Sequence, residues 1–134
     1  MVDIATVRRL ALELPQTEDA SSEQSLAFTV AGKGFAWSYK VRVQPKGPRQ
    51  PRLDVLAVRC ALERKEMLIE AAPDWFFDDD HYRGYPAVLV RLDAVDEDEL
   101  RALLAEAWRC AAPKAVVKRH EGRGDEGPLK DIPA

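Results

Sequence analysis

Histidine and cysteine are scarce in this chain, two of each among 134 residues, and that scarcity removes several chemistries at once. Cys60 and Cys110 form no C-x-x-C pair, and their spacing suits neither a disulfide scaffold nor a zinc site. Both are expected as reduced thiols on apolar faces. Long uninterrupted apolar runs are missing as well. The amino-terminal stretch MVDIATVRRLALELP carries Asp3 and Glu13, so neither a secretory signal nor a membrane anchor is expected, and the expected setting is cytoplasmic with no membrane partner. The four serines and three threonines include no G-x-S-x-G elbow, and neither cysteine has a histidine nearby in sequence to lower its pKa. AGKGF contains two glycines and a lysine but lacks the following helix whose N-terminus would receive a phosphate. No cofactor and no catalytic residue is therefore expected. A strong excess of positive charge is also absent: 20 basic and 23 acidic side chains give a net charge of −3. That excludes the cationic surface of a bulk polyanion binder, so any basic patch must be local.

What is present is a 46% apolar fraction, enough to build one core in a chain of ordinary domain length. One domain is expected over residues 1–119. The segment HEGRGDEGPLKDIPA, residues 120–134, is a polar tail with the composition of a disordered segment. Ile4, Val7, Leu10, Ala11 and Leu14 mark one helical face behind an Asp3 cap and before Pro15. LAFTV and FAWSYKVRV read as strands joined by a glycine turn. In the second of them Phe35, Trp37, Tyr39, Val41 and Val43 are expected on one face, with Ala36, Ser38, Lys40 and Arg42 on the other. The proline-rich loop from Gln44 to Arg52 leads into LDVLAVR, with Leu53, Val55 and Ala57 on one side. A helix from Ala61 to Ala72, strands at DWFFD and YPAVLVRL, and a helix after the acidic DEDE complete the pattern. KAVVKRH is compatible with either a helical turn or an extended end. The expected order is α-β-β-β-α-β-β-α, an α+β two-layer fold with an antiparallel sheet of about five strands and helices on one face.

The segment FFDDDHYRGYP, residues 76–86, sets three carboxylates beside His81. A calcium loop needs acceptors at alternate positions and a distal Glu, and zinc needs at least three converging ligands. Contiguous acids point to opposite faces of an extended chain, so the expectation is a charged turn with no metal. An enzyme site around Asp78, Asp80, His81 and Tyr82 is the third reading of this segment. Cation placement says more. Between Gln24 and Leu53 there are six cations and no Asp or Glu; Lys40, Arg42, Lys46, Arg49 and Arg52 could track phosphates, and the bland alternative is a solvated sheet face.

LALELPQTED, FTVAGKGFAW, DHYRGYPAVLVRL and ELRALLAEAWRCAAPK, in this order, resemble the MmcQ/YjbR family of small bacterial proteins over roughly residues 5–119. The family's H-Y-R-G-Y-P segment matches His81 to Pro86 and its A-P-K segment matches Ala112 to Lys114. The resemblance implies an α+β fold of the secretion-chaperone-like kind, also described as a double wing, and it brings the label DNA-binding. The proline-rich insertion at 44–52 departs from the family and would lengthen a wing. The leading expectation is a non-enzymatic DNA-binding protein with phosphate contacts from Lys40, Arg42, Lys46, Arg49 and Arg52 on the wing, joined by Arg83, Lys114, Lys118 and Arg119. The alternative is a protein-interaction or self-association module anchored by Trp75, Tyr82 and Tyr85.

Overall fold

The computed structural model describes residues 1–42 and 46–124, and within them the side chains of all but 41, 42, 49–51 and 121–124. The element order is α1 (Ile4–Leu12), β1 (Thr17–Asp19), β2 (Ala27–Val30), β3 (Lys33–Arg42), β4 (Arg49–Arg59), α2 (Leu62–Ala71), β5 (Phe76–Phe77), β6 (Ala87–Arg91), α3 (Glu97–Ala111) and α4 (Lys114–Gly124). Asp3 caps α1 by accepting the Thr6 amide at 2.8 Å, which holds its carboxyl below the ordinary value. Val7, Leu10 and Ala11 then turn inward. In α3 the three acids of the first turn sit at the positive end of the helix dipole, and Leu100, Leu103, Leu104, Ala107 and Trp108 are buried.

All strand pairs are antiparallel, in the order β1-β2-β3-β4-β6-β5. The fold is α+β, with the helices contributing to one apolar cluster on one face of the sheet. That cluster holds Phe28, Val30, Leu56, Val58, Val88 and Val90 from the strands, and Leu10, Leu68, Leu104, Trp108 and Val116 from the four helices. The core-facing helix side chains stabilise by roughly 1.5–3 kcal/mol each for the larger apolar ones.

Two elements exceed the expected pattern. β1 contains only Thr17, Glu18 and Asp19, with no apolar alternation to announce it, and exists because Thr17 and Asp19 pair with Val30 and Phe28. α4 resolves the ambiguity at KAVVKRH in favour of helix, with Val116 against the helix-side core, and runs on to Gly124, into the segment assigned to the tail. Residues 125–134 lie outside the described residues.

The β2–β3 turn uses Ala31 (φ 51°) and Gly32 (φ 80°). One of the two expected glycines takes the positive φ, but its companion is an alanine. Gly34 has already joined β3 and lies under the Trp37 ring.

The two-face expectation for β3 needs correction. Phe35 and Ala36 both belong to the helix-side cluster, across an irregularity in the β2–β3 register, and Ser38 is buried on that side opposite Leu56. Trp37 and Tyr39 belong to a second cluster on the opposite face, with Val55, Ala57, Tyr82, Ala87 and Leu89. The aromatics are divided between two cores because both faces of β3 are covered, one by helices and one by the 78–86 segment. Val43 is outside the described residues.

β4 also begins earlier than the proline-rich sequence suggests. Between Ser38 opposite Leu56 and Tyr39 opposite Arg52 the register jumps, so residues 53–55 have no partner on β3. Leu53, expected beside Val55 and Ala57, is instead 50% exposed. Beyond the jump Lys40 pairs with Pro51 and Arg42 with Arg49. β6 pairs with Val55–Arg59, so among the described residues 49–52 pair with β3 alone, and a proline is tolerated on that unpaired edge.

Candidate functional site: an aromatic cleft beside a two-stranded arm

The segment FFDDDHYRGYP becomes the lid of the second face. Its three acids have three different partners. Asp78 faces Lys65 Nζ at 3.0 Å, Asp79 accepts the Tyr39 hydroxyl and, at 2.8 Å, the Tyr82 amide, and Asp80 meets Arg83 at 2.6 Å in solvent. Burial alone would raise the Asp79 carboxyl, but the bonds from Tyr39 and Tyr82 outweigh it and hold the group below its ordinary value. Gly84 (φ 77°) closes a turn in which the Tyr85 amide donates to the Tyr82 carbonyl at 2.8 Å. A substituted residue would be strained there.

Lys65, from α2, fixes the lid from beneath. Its side chain is 3% exposed, and Nζ donates to the Tyr82 carbonyl at 2.7 Å and the Tyr85 carbonyl at 3.1 Å. With Asp78, these three acceptors satisfy a charge that would otherwise be costly to bury.

The lid brings Tyr82, His81 and Tyr85 against Trp37. Trp37 Nε1 donates to the Tyr82 hydroxyl at 3.0 Å. The Trp37 and Tyr85 rings lie edge to face at 6.4 Å between centroids, Tyr82 and Tyr85 at 5.8 Å, and His81 and Tyr82 at 5.1 Å. Behind them Tyr39 leans on Tyr82 and meets Phe77 edge to face, and the Arg91 guanidinium sits 4.2 Å from the Phe77 centroid. Two open clefts share Trp37, His81 and Tyr82: one of about 290 Å³ continues to Ser38 and Lys40, and one of about 350 Å³ is walled by Tyr85.

The expected site residues are dispersed among several places. Lys40, Lys46 and Arg52 are exposed on or beside the β3–β4 arm, and Arg52 is held by Asp54 through two bonds, at 3.0 and 2.6 Å. The side chains of Arg42 and Arg49 lie outside the described residues; their backbones are register partners. Arg83 is on the lid. Lys114, Lys118 and Arg119 are exposed on α4, whose Val116 packs into the helix-side core, so the three belong to the helix layer. The interaction trio is likewise divided: Tyr82 is buried, Tyr85 is 42% exposed, and Trp75 packs near Phe76 beside the helix-side core. Trp37 is the aromatic that joins the two tyrosines. Its even spacing from Tyr39 along β3 was a signal for a shared face, but nothing in the sequence said that residues 78–86 would cover that face.

Among the described residues no three His, Cys, Asp or Glu side chains converge as a metal cage would require, and Asp78 and Asp80 are paired with different cations, Lys65 and Arg83. Cys60 is buried, which pushes its thiol up to about 11. Cys110 is exposed rather than set on an apolar face. Among the described residues no helix is long and apolar enough to cross a membrane.

The YjbR family model matches residues 12–110. This chain belongs to that family. The uncharacterised proteins Rv2570 of Mycobacterium tuberculosis and Mb2600 of Mycobacterium bovis are each 34% identical to it over 119 residues, covering 84% of this chain and 90% of theirs. The crystal structure of Deinococcus radiodurans protein DR2400, a DUF419 domain, superposes with a TM-score of 0.62 at 24% identity, over 89% of this chain and 88% of that one. The latter likeness is one of fold. In the YjbR chain described here, the H-Y-R-G-Y-P segment, one of the four on which the resemblance rests, forms residues 81–86 of the lid.

Proposed function

We propose that the protein binds DNA without catalysis, through phosphate contacts from the β3–β4 arm. The observation that carries the reading is the exposure of cations on the arm within a run that has no carboxylate. Arg42 lies opposite Arg49, with Lys40 and Lys46 exposed nearby and no Asp or Glu between Gln24 and Leu53. An anionic polymer laid along a stretch whose sequence carries cations and no carboxylate gains their attraction without meeting a like charge. Arg52 contributes less, since Asp54 already occupies its guanidinium. Arg83, Lys114, Lys118 and Arg119 are secondary contacts at most, on other parts of the surface.

The test is a salt titration of binding to fluorescently labelled DNA, read by anisotropy. Affinity should fall steeply with salt, and Lys40→Glu with Arg42→Glu should weaken it at least about tenfold while lowering the salt slope by about two. Absence of binding at low salt overturns the reading.

A second reading, self-association or docking of a protein partner, is favoured by one observation, the 42% exposure of Tyr85 in a hydrogen-bonded turn. Sedimentation as a monomer at high concentration, unchanged in Tyr85→Ala, would argue against self-association.

A further inference from the structure

We infer that the aromatic cleft seats an unpaired base, so that the protein prefers single-stranded DNA to duplex. This rests on the phosphate reading of the arm and adds a second, sequence-tolerant contact to it.

The cleft and the arm are physically continuous. Lys40 lines the 290 Å³ cleft together with Trp37, His81 and Tyr82, and Lys40 is also the position on β3 that pairs with Pro51 in the arm. A strand whose phosphates follow the arm therefore reaches the rings without leaving the protein surface. The clefts, about 290 and 350 Å³, stand at the small end of ligand sites, a size for one planar ring system rather than an extended chain.

The walls are also prepared for such a group. Edge-to-face contacts between Trp37 and Tyr85, at 81°, and between His81 and Tyr82, at 87°, make corners instead of a closed stack. A flat group lying on one ring meets the edge of the next, the arrangement that aromatic quadrupoles favour. The rings are held before any ligand arrives: Trp37 by the Tyr82 hydroxyl, Tyr82 through its amide by Asp79, and the lid backbone by Lys65. Little ordering is left to oppose binding. Asp78 and Asp80, which would repel a phosphate, are each matched by a cation. Bases inside a duplex are stacked on one another and cannot enter a cleft of this kind, whereas an unpaired base offers its π face at no such cost.

Three labelled probes of equal length separate the terms: a single strand, the same backbone carrying abasic sites, and a duplex. At one low salt concentration the base-bearing single strand should bind about tenfold tighter than either of the others. Tyr85→Ala combined with His81→Ala, both exposed positions, should abolish that preference and leave affinity for the abasic strand unchanged. Equal binding of all three probes with ordinary salt dependence would overturn the stacking inference and leave the arm reading intact. A preference that survives the double variant would also overturn it. No binding of any probe would overturn the arm reading, and the inference with it.

Discussion

The two faces of the sheet are built by different physics. On the helix side the cover is apolar and continuous: Leu10, Leu104, Ala107 and Trp108 meet Phe28, Leu56 and Val90. The Trp108 indole finds its one required partner at the edge, the Pro15 carbonyl at 2.9 Å. On the lid side an irregular loop replaces a helix, so backbone carbonyls, a carboxylate and a hydroxyl come close to the apolar cluster and are satisfied one by one: the carbonyls by Lys65, the Asp79 carboxylate by Tyr39 and the Tyr82 hydroxyl by Trp37. A face closed by apolar area resists single losses of polar groups. One closed by a hydrogen-bonded loop depends on a few of them, and it leaves part of its aromatic surface in solvent, where a ligand can reach it.

Leu104→Ala should give the largest effect, a loss of about 3 kcal/mol in urea unfolding, because it opens a cavity in the helix-side core. It should leave the lid's local protection from hydrogen exchange unchanged relative to global stability. A lid that loosens selectively would break the distinction between the faces.

Lys65→Met should cost about 2 kcal/mol, since it leaves two carbonyls and Asp78 without their donor and Asp78 is partly solvated. Here the exchange of amides in 78–86 should accelerate beyond the global change, while the environment of Trp108 stays as it was. Equal loss of protection on both faces would show that the lid is not a separate unit.

Tyr39→Phe should cost about 1.5 kcal/mol at neutral pH, the lower end for a hydrogen bond to a charged group. Asp79 has a folded pKa below its ordinary value of 3.8, so its contribution is fully present above that value and is withdrawn as pH falls through the lower folded value. The difference between Tyr39→Phe and the parent should therefore shrink below about pH 4. A difference that persists in acid would mean that the carboxylate is not what Tyr39 serves.

Much of this architecture was legible along the chain. The spacing of Leu100, Leu103, Leu104 and Ala107 marks α3, Pro15 and Pro73 mark where helices stop, and Gly32 marks the first hairpin. The features that escaped are those whose causes are distant in sequence. β1 is three polar residues made into a strand by β2. The arm's extension through Pro51 depends on a register jump at residues 53–55, and on β6 being too short to cover that stretch. The separation of Phe35 from Trp37 follows from the irregular β2–β3 pairing, which alternation along one strand cannot reveal.

The candidate site divides in the same way. Contiguous acids beside a single histidine were enough to read residues 78–86 as a charged turn, and the run without Asp or Glu from 24 to 53 was enough to point to a local basic surface. Both are matters of composition and spacing, which the chain carries wherever it folds. That Trp37, His81, Tyr82 and Tyr85 share a cleft, that Lys40 stands between this cleft and the arm, and that Trp75 does not join them were decided only by tertiary structure. The lid is placed by contacts between residues 17 to 45 positions apart, from Lys65 to Tyr82 and from Trp37 to Tyr82, and no local pattern encodes a contact whose two halves acquire their meaning only when they meet.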